Sequence, residues 1–477
     1  MTTTAKKPST ATELVSLAQL KYRLLQGPDG RPYAASLEQP TNAKNLSAVR
    51  DELAAAYYGV HGTAPGRNAV SEAMTVLAGL ARATEREPVE LRSVRKGNQV
   101  IIDPAWTDCR AILVGPGGVK VLPTANVNFR QTELTAPFPD AGMLEAANAN
   151  LDLLREVVNV SDRDWPLLVA WMVATFLGIP VPVLFIISEQ GAGKSFATRC
   201  IVSVIDPSSV PLRAAPKDLE SWIVAAMGSQ VVAVDNVSHI SPWWSDALCR
   251  ACTGEGLVKR ALYTDNDLSV VTMRRSVILT TIDAGHIPGD LGERLLPVEL
   301  ERITGTQRRT EVDLAETLDE HLPSIVVGLL LLVGEVLAVI DDVEVDDLPR
   351  MADFARVLAA VDKVRGLDSL ETYRQAQANV LSDLVAGDAL AEAIVTIVKT
   401  STTGRWVGTS SELLERLNTY RPHDSKAGWP RSPKGLSGAL QRLAPALRAS
   451  GVDVDKERTS TARRIVLREM ARSVVTQ

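Results

Sequence analysis

The sequence predicts an α/β protein built on buried strands, one of which feeds a Gly-rich turn, with helical regions on either side. Three observations predict it. Pro182-Val183-Leu184-Phe185-Ile186-Ile187 reads as a buried strand, and Phe196 to Ile205 reads as a helix. Between them lies Ser188-Glu189-Gln190-Gly191-Ala192-Gly193-Lys194-Ser195. Two further apolar strands follow: Val231-Val232-Ala233-Val234 runs into Asp235, and Ser276-Val277-Ile278-Leu279 runs into Thr280 and Thr281.

Strand, Gly-rich turn and helix is the context that gives a phosphate-binding loop (P-loop) its meaning. The usual pattern is Gly, four free residues, then Gly-Lys-Ser/Thr. Gly193-Lys194-Ser195 fit it, and Ser188 stands where the first Gly belongs. Backbone N–H groups from Gly191, Ala192, Gly193, Lys194, Ser195 and Phe196 would point at phosphate oxygens. Lys194 would reach the β- and γ-phosphates of ATP, and Ser195 would ligate Mg²⁺. Asp235 follows Lys194 by 41 positions. A strand delivering a carboxylate at this spacing predicts a second Mg²⁺-shell residue. Asn236 comes next, and an amide cannot act as a general base. Thr280 or Thr281 stands where a side chain could sense the γ-phosphate, or simply ends a strand. In Asp290-Leu291-Gly292-Glu293-Arg294, Arg294 is either a finger for a neighbour's nucleotide or a surface ion-pair partner. Thr253 to Tyr263 reads as a hairpin that carries Lys259 and Arg260.

Composition sets the frame. A chain of 477 residues suggests about three domains. Its 45% apolar content suffices for a core, and only 4% is aromatic, so Leu, Val, Ala and Ile must build it. The start is polar and shows no signal peptide. The longest apolar run, Ile325 to Ile340, is broken by Glu335 and is shorter than a spanning helix, so it reads as a core helix. Four cysteines make no disulfide scaffold, and a reducing cytoplasm is the expected compartment. Cys249 and Cys252 form a single Cys-x-x-Cys without a second pair, a poor basis for zinc or redox chemistry.

Along the chain, residues 1–88 read as a helical region, with Leu/Ala periodicity in Asn45–Tyr57 and Ala69–Ala83. Residues 89–140 read as β-hairpins and a linker: Val89 to Arg92 turns at Lys96-Gly97-Asn98, and Ala111 to Val114 turns at Gly115 to Gly118. Residues 141–180 read as a helical collar, 181–305 as the nucleotide core, 306–385 as helical and 386–477 as a last module. From Arg405 to Gln477 there are 14 Lys/Arg against 7 Asp/Glu, so the rest of the chain carries −13 of the net −6. A basic module on an acidic body suggests DNA, although a merely solvated basic surface would look the same.

That module has its own plan. Thr409-Ser410-Ser411-Glu412 is a capping pattern. Ser432 to Ala449 reads as a second helix, with Leu436, Leu440, Leu443 and Leu447 in a stripe and Lys434 and Arg442 off it. Val452-Asp453-Val454 and Arg463-Arg464-Ile465-Val466-Leu467 read as a two-stranded wing. Helix, helix and basic hairpin is the winged-helix plan, used for DNA or for protein contacts.

The order of these motifs resembles superfamily 3 helicases, and most of all the ATPase domain of poxvirus-type primase-helicases of phages and mobile elements. Trp243-Trp244-Ser245-Asp246-Ala247-Leu248 and Arg350-Met351-Ala352-Asp353-Phe354 look like an actinobacterial subgroup. The resemblance covers roughly 145–470. It implies an AAA+-like P-loop ATPase core with a winged helix behind it, and a hexameric ring that unwinds or translocates on DNA during replication. It also implies Lys259 and Arg260 in the ring pore and Arg294 as the arginine finger. Three positions depart from the pattern: Ser188, Asn236, and Thr280 in place of Asn. Asp103 and Asp108 form no Asp-x-Asp strand, so primer synthesis would fall to a separate primase. The other class open to such a chain is a DNA-binding ATP switch (a loader, regulator or defence ATPase) that does not unwind.

Overall fold

The computed structural model describes residues 8–39, 41–188, 191–260, 268–281, 287, 289–303, 305, 308–386, 388–421, 429–458 and 463–470. Among them the chain is mixed α/β, with a four-stranded parallel sheet set among helical regions.

Helix α1 (Thr10–Lys21) is capped by Ser9, whose hydroxyl accepts from the Thr12 N–H. Strands β1 (Tyr22–Gln26), β2 (Pro32–Ser36) and β3 (Ala43–Asn45) form an antiparallel sheet. Helices α2 (Arg50–His61) and α3 (Arg67–Arg82) follow. The stretch expected to be helical as far as residue 88 thus also holds a sheet. Its strands are at most five residues long and turn at Gly27-Pro28-Asp29-Gly30, a stronger turn signal than the surrounding Leu/Ala periodicity suggested. Leu14, Leu53, Tyr57 and Leu77 fill a core separate from the rest of the protein.

Strands β4 (Val89–Glu90), β5 (Ser93–Lys96), β6 (Gln99–Ile102), β7 (Ala111–Gly115), β8 (Gly118–Leu122) and β9 (Asn128–Phe129) come next. β5 to β8 form an antiparallel meander, whereas β4 pairs in parallel with β9. The hairpin expected from Val89 therefore starts at Ser93, because Arg92 turns inward. Its guanidinium is buried, donating to Asp206 Oδ1 at 2.8 Å and to the carbonyls of Asp103, Ala136 and Pro207. Asp206 Oδ2 in turn accepts the N–H groups of Gln230 and Val231. A buried ion pair with its hydrogen bonds met is costly to break on one side. This one ties the meander to the central sheet.

Helices α4 (Ala141–Ala146) and α5 (Trp165–Phe176) lead to that sheet, and α5 is buried along its whole length. The central segment runs β10 (Val183–Ile187), α6 (Lys194–Ile205), α7 (Leu219–Met227), β11 (Val231–Val234), α8 (Pro242–Thr253), β12 (Gly256–Arg260), β13 (Leu268–Thr272), β14 (Ser276–Thr281), α9 (Gly289–Gly292) and β15 (Leu295–Glu299). Four strands lie in the order β11-β14-β10-β15, every pair parallel. Their continuous apolar runs follow from burial on both faces. β12 and β13 form an antiparallel hairpin apart from this sheet.

Helix α10 (Glu311–Val339) is longer than the apolar run that suggested it, and is long and apolar enough to cross a membrane. Here Ile325, Leu329, Val333 and Val336 are buried within the protein, against β7, β8, α5 and α6. A Cβ at Gly328 would lie 2.6 Å from Leu151 N, so the close approach admits no side chain. Helices α11 (Ala352–Arg365), α12 (Leu370–Ala386) and α13 (Ala389–Lys399) precede β16 (Arg405–Gly408), α14 (Ser410–Asn418), α15 (Pro433–Ala449), β17 (Val452–Arg458) and β18 (Arg463–Glu469). The last sheet is antiparallel in the order β16-β18-β17. α15 packs on α14 and β17, and also along α12 and against α9. One apolar core runs from Val100 to Leu467, so the C-terminal region shares it with the central sheet.

Candidate functional site

β10 lies between β14 and β15, so the loop leaving its carboxyl end opens where the chain crosses to both sides of the sheet. Such switch points are where open α/β sheets bind ligands. Gly191 (φ +84°) and Gly193 (φ +76°) both adopt left-handed backbone, which demands glycine. Ser188 is not among the left-handed residues, so its position needs no glycine. Its carbonyl and hydroxyl instead accept from Lys194 Nζ, at 2.9 and 3.1 Å. Partial burial holds the Lys194 pKa below its ordinary value, and the Asp235 carboxylate opposes that shift. Glu189 and Gln190 lie outside the described residues.

The three neighbouring strand ends are tied to one another. Ser195 Oγ donates to Asp235 Oδ2 at 2.8 Å, and Thr280 Oγ1 donates to Asp235 Oδ1 at 2.5 Å. The Thr280 hydroxyl also accepts the Asn236 N–H at 2.8 Å. Asn236 is held in left-handed backbone at φ +55°, a conformation asparagine tolerates better than most residues. Of the two threonines, Thr280 meets the acid, while Thr281 turns to the Val237 carbonyl.

Around this network lies a cavity of about 820 Å³. Gly191, Ala192, Gly193, Lys194, Ser195, Phe196, Asp235, Asn236 and Thr280 all line it. Its volume falls in the range of small-molecule sites. The rest of the wall comes from segments with no sequence signal: Arg155 to Asn159, Arg199, Glu301 to Ile303, Arg308, Arg309, Glu311 and Leu314. Asn159 clamps two of them, its amide donating to the carbonyls of Ala192 (3.3 Å) and Glu301 (2.5 Å). Arg308 reaches to within 3.9 Å of where a Gly191 Cβ would sit. Five arginines and Lys194 outnumber Glu156, Glu301, Glu311 and Asp235 in the wall, so the cavity suits a polyanion. A serine hydroxyl and one carboxylate, with waters and phosphates, also suit Mg²⁺, which seldom takes an all-protein cage.

Arg294 is not part of this cavity. It directly precedes β15, and its carbonyl accepts the Val183 N–H at 2.8 Å, level with the start of β10. Five residues of strand at roughly 3.3 Å each put about 17 Å between it and the loop end of the sheet. It lines a second crevice, of about 320 Å³, with Asp246, Cys249, Arg250, Asp290, Arg350 and Arg442. Burial pushes the Cys249 thiol up to about 11 and that of Cys252 higher still, so neither is a thiolate at neutral pH.

The residues expected at DNA are dispersed. Lys259 and Arg260 end β12, opposite Ser269 and Leu268, and residues 261–267 beyond them lie outside the described residues. Lys434 is exposed in the first turn of α15. Arg463 and Arg464 open β18, opposite Arg458 and Glu457. Arg442 is exposed and lines the Arg294 crevice, where α15 packs on α9 and α12.

A mixed α/β fold with a polyanion-sized cavity at the carboxyl edge of a parallel sheet is the class that these observations define. Residues 151–384 match the family model of the actinomycete integrative conjugative element replication protein, and residues 390–475 match that of its C-terminal domain. Over about two thirds of its length the chain is thus similar to replication proteins of a mobile element. Among solved structures, the apo C-terminal region of NrS-1 aligns at 11% identity over 98% of this chain and 100% of that one, with a TM-score of 0.42. The JCV helicase aligns at 11% identity over 51% of this chain and 65% of that one, with a TM-score of 0.27. No curated protein matches the chain.

Proposed function

We propose that the chain is an ATP hydrolase that drives replication of a mobile element as a ring-forming DNA helicase or translocase. The observation that carries the reading is the hydrogen-bonded set Ser195, Asp235 and Thr280, with Lys194 held at Ser188 beside it, around one cavity at the end of β10 and β14. In this reading the β10–α6 loop is a P-loop. Its amides cradle the phosphates, and Lys194 leaves Ser188 for the β- and γ-phosphate oxygens. Ser195 and Asp235 hold Mg²⁺, which neutralises charge on those oxygens. Thr280 keeps Asp235 aimed at the site and, through the Asn236 N–H, fixes the segment facing the γ-phosphate. Arg155, Arg199, Arg308 and Arg309 add positive charge around the triphosphate.

Arg294 is too far from its own loop to assist, so its part in hydrolysis is played on the nucleotide of a neighbouring copy. That requires a homo-oligomer, for which a hexameric ring is the natural closed form. Lys259 and Arg260 on the β12–β13 hairpin would then meet DNA in the pore. The C-terminal region, a winged helix in this reading, would meet duplex DNA through Lys434, Arg463 and Arg464.

Strand displacement tests the proposal. Wild-type chain should separate a forked duplex with ATP, and Lys194→Ala should not. A second reading is favoured by Asn236, which offers no general base: a DNA-binding ATP switch that assembles without unwinding. Wild-type chain that hydrolyses ATP and assembles on DNA yet never separates strands would decide for it.

A further inference from the structure

The crevice at Arg294 holds more positive charge than its surroundings neutralise. Arg250 is answered by Asp246 at 2.8 Å and by Glu255. Arg294 Nη1 donates to the Asp290 carbonyl at 2.6 Å and its side chain also meets the Cys249 thiol, while its buried Nε has no partner among the described residues. Arg350 and Arg442 make no ion pair or side-chain hydrogen bond among the described residues. The side chains of Arg294, Arg350 and Arg442 therefore line one space of about 320 Å³. Guanidinium donors grouped in this way fit phosphate oxygens.

The three arginines come from separate parts of the chain. Arg294 precedes β15, Arg350 precedes α11, and Arg442 lies midway along α15. α15 is brought there by packing on α9 and α12. A recognition helix held only for DNA would not need an arginine turned toward the central sheet.

We propose that Arg350 and Arg442 complete, with Arg294, a receptor for the triphosphate of a second copy of this chain. The C-terminal region thereby supplies a phosphate-binding residue, and its docking on α9 and α12 sets whether hydrolysis can proceed. This rests on the reading that Arg294 acts across subunits.

The test uses the full chain. Arg442→Ala should lower ATP turnover at least about tenfold, the scale of one charge-assisted hydrogen bond. Arg442→Lys should recover part of it, and Gln441→Ala, on the same helix, should match wild type. Binding of a fluorescent ATP analogue by dilute chain should be unchanged in Arg442→Ala, since that variant's own cavity is untouched. Mixing it with Lys194→Ala should restore activity. If Arg294→Ala abolishes turnover while Arg442→Ala and Arg350→Ala stay within twofold of wild type, this inference fails and the function proposed above stands. If Arg294→Ala itself turns over normally, the trans reading fails first. A loss of duplex binding in Arg442→Ala with normal turnover would overturn the inference and return that residue to DNA.

Discussion

The two ends of the parallel sheet are built differently. At the carboxyl end, the functional side chains answer one another: Lys194 with Ser188, Ser195 and Thr280 with Asp235, and the Thr280 hydroxyl with Asn236 N–H. At the amino end of β15, Arg294 keeps a buried Nε without a partner among the described residues, and Arg350 and Arg442 make no ion pair among those residues. In the reading proposed above, one end is complete within a single chain and the other is completed by a second copy.

The largest expected effect separates the ends. Lys194→Ala should abolish turnover and weaken nucleotide binding sharply, as an ATPase assay and a fluorescent-nucleotide titration would register. Arg294→Ala should cut turnover by roughly 10³ or more while leaving nucleotide affinity near wild type. Equal loss of affinity in both variants would erase the distinction between the ends.

The next effect lies outside both. Arg92→Ala strands the Asp206 carboxylate in the core and should cost about 3–5 kcal/mol of stability, read by denaturant unfolding. Residual folded chain should keep its affinity for nucleotide, which marks the Arg92–Asp206 pair as a brace and not a site. Thr280→Val keeps shape but deprives Asp235 of a donor and the Asn236 N–H of its acceptor. A stability loss of about 1–3 kcal/mol with an accompanying fall in turnover is expected. A stable variant of unchanged activity would show that the carboxyl end does not depend on its internal ties. The smallest effect concerns DNA: Arg464→Ala should lower the salt slope of duplex binding by about one unit and leave ATP turnover alone.

The two ends were also unequally legible in the sequence. Gly191, Gly193, Lys194 and Ser195 sit in one short segment whose backbone conformation dictates residue type, and Asp235 and Thr280 end conspicuous apolar strands. Asn159, Arg308 and Arg309 reach the same cavity from loops whose residue types are ordinary, so only three-dimensional proximity reveals them. Ser188 looked like a defect in the loop, yet without left-handed backbone it needs no glycine, and its hydroxyl serves Lys194. Arg442 was read as a DNA contact because its position off the Leu436–Leu447 stripe says only that it leaves the local core. Which neighbour it meets depends on α15 docking across from α12, a packing that no local pattern encodes. β1 to β3 were overlooked because three strands of five residues or fewer carry little periodicity between helices.

The central claim is that the arginine end of one chain completes the nucleotide end of another. It is tested most directly by mixing two inactive full-length variants, Lys194→Ala and Arg294→Ala, and measuring ATP turnover. The account predicts that the mixture recovers activity neither variant has alone, because one class of junction pairs an intact loop with an intact Arg294. Variants that assemble together, as seen by light scattering, and yet remain as inactive as each is separately would contradict it.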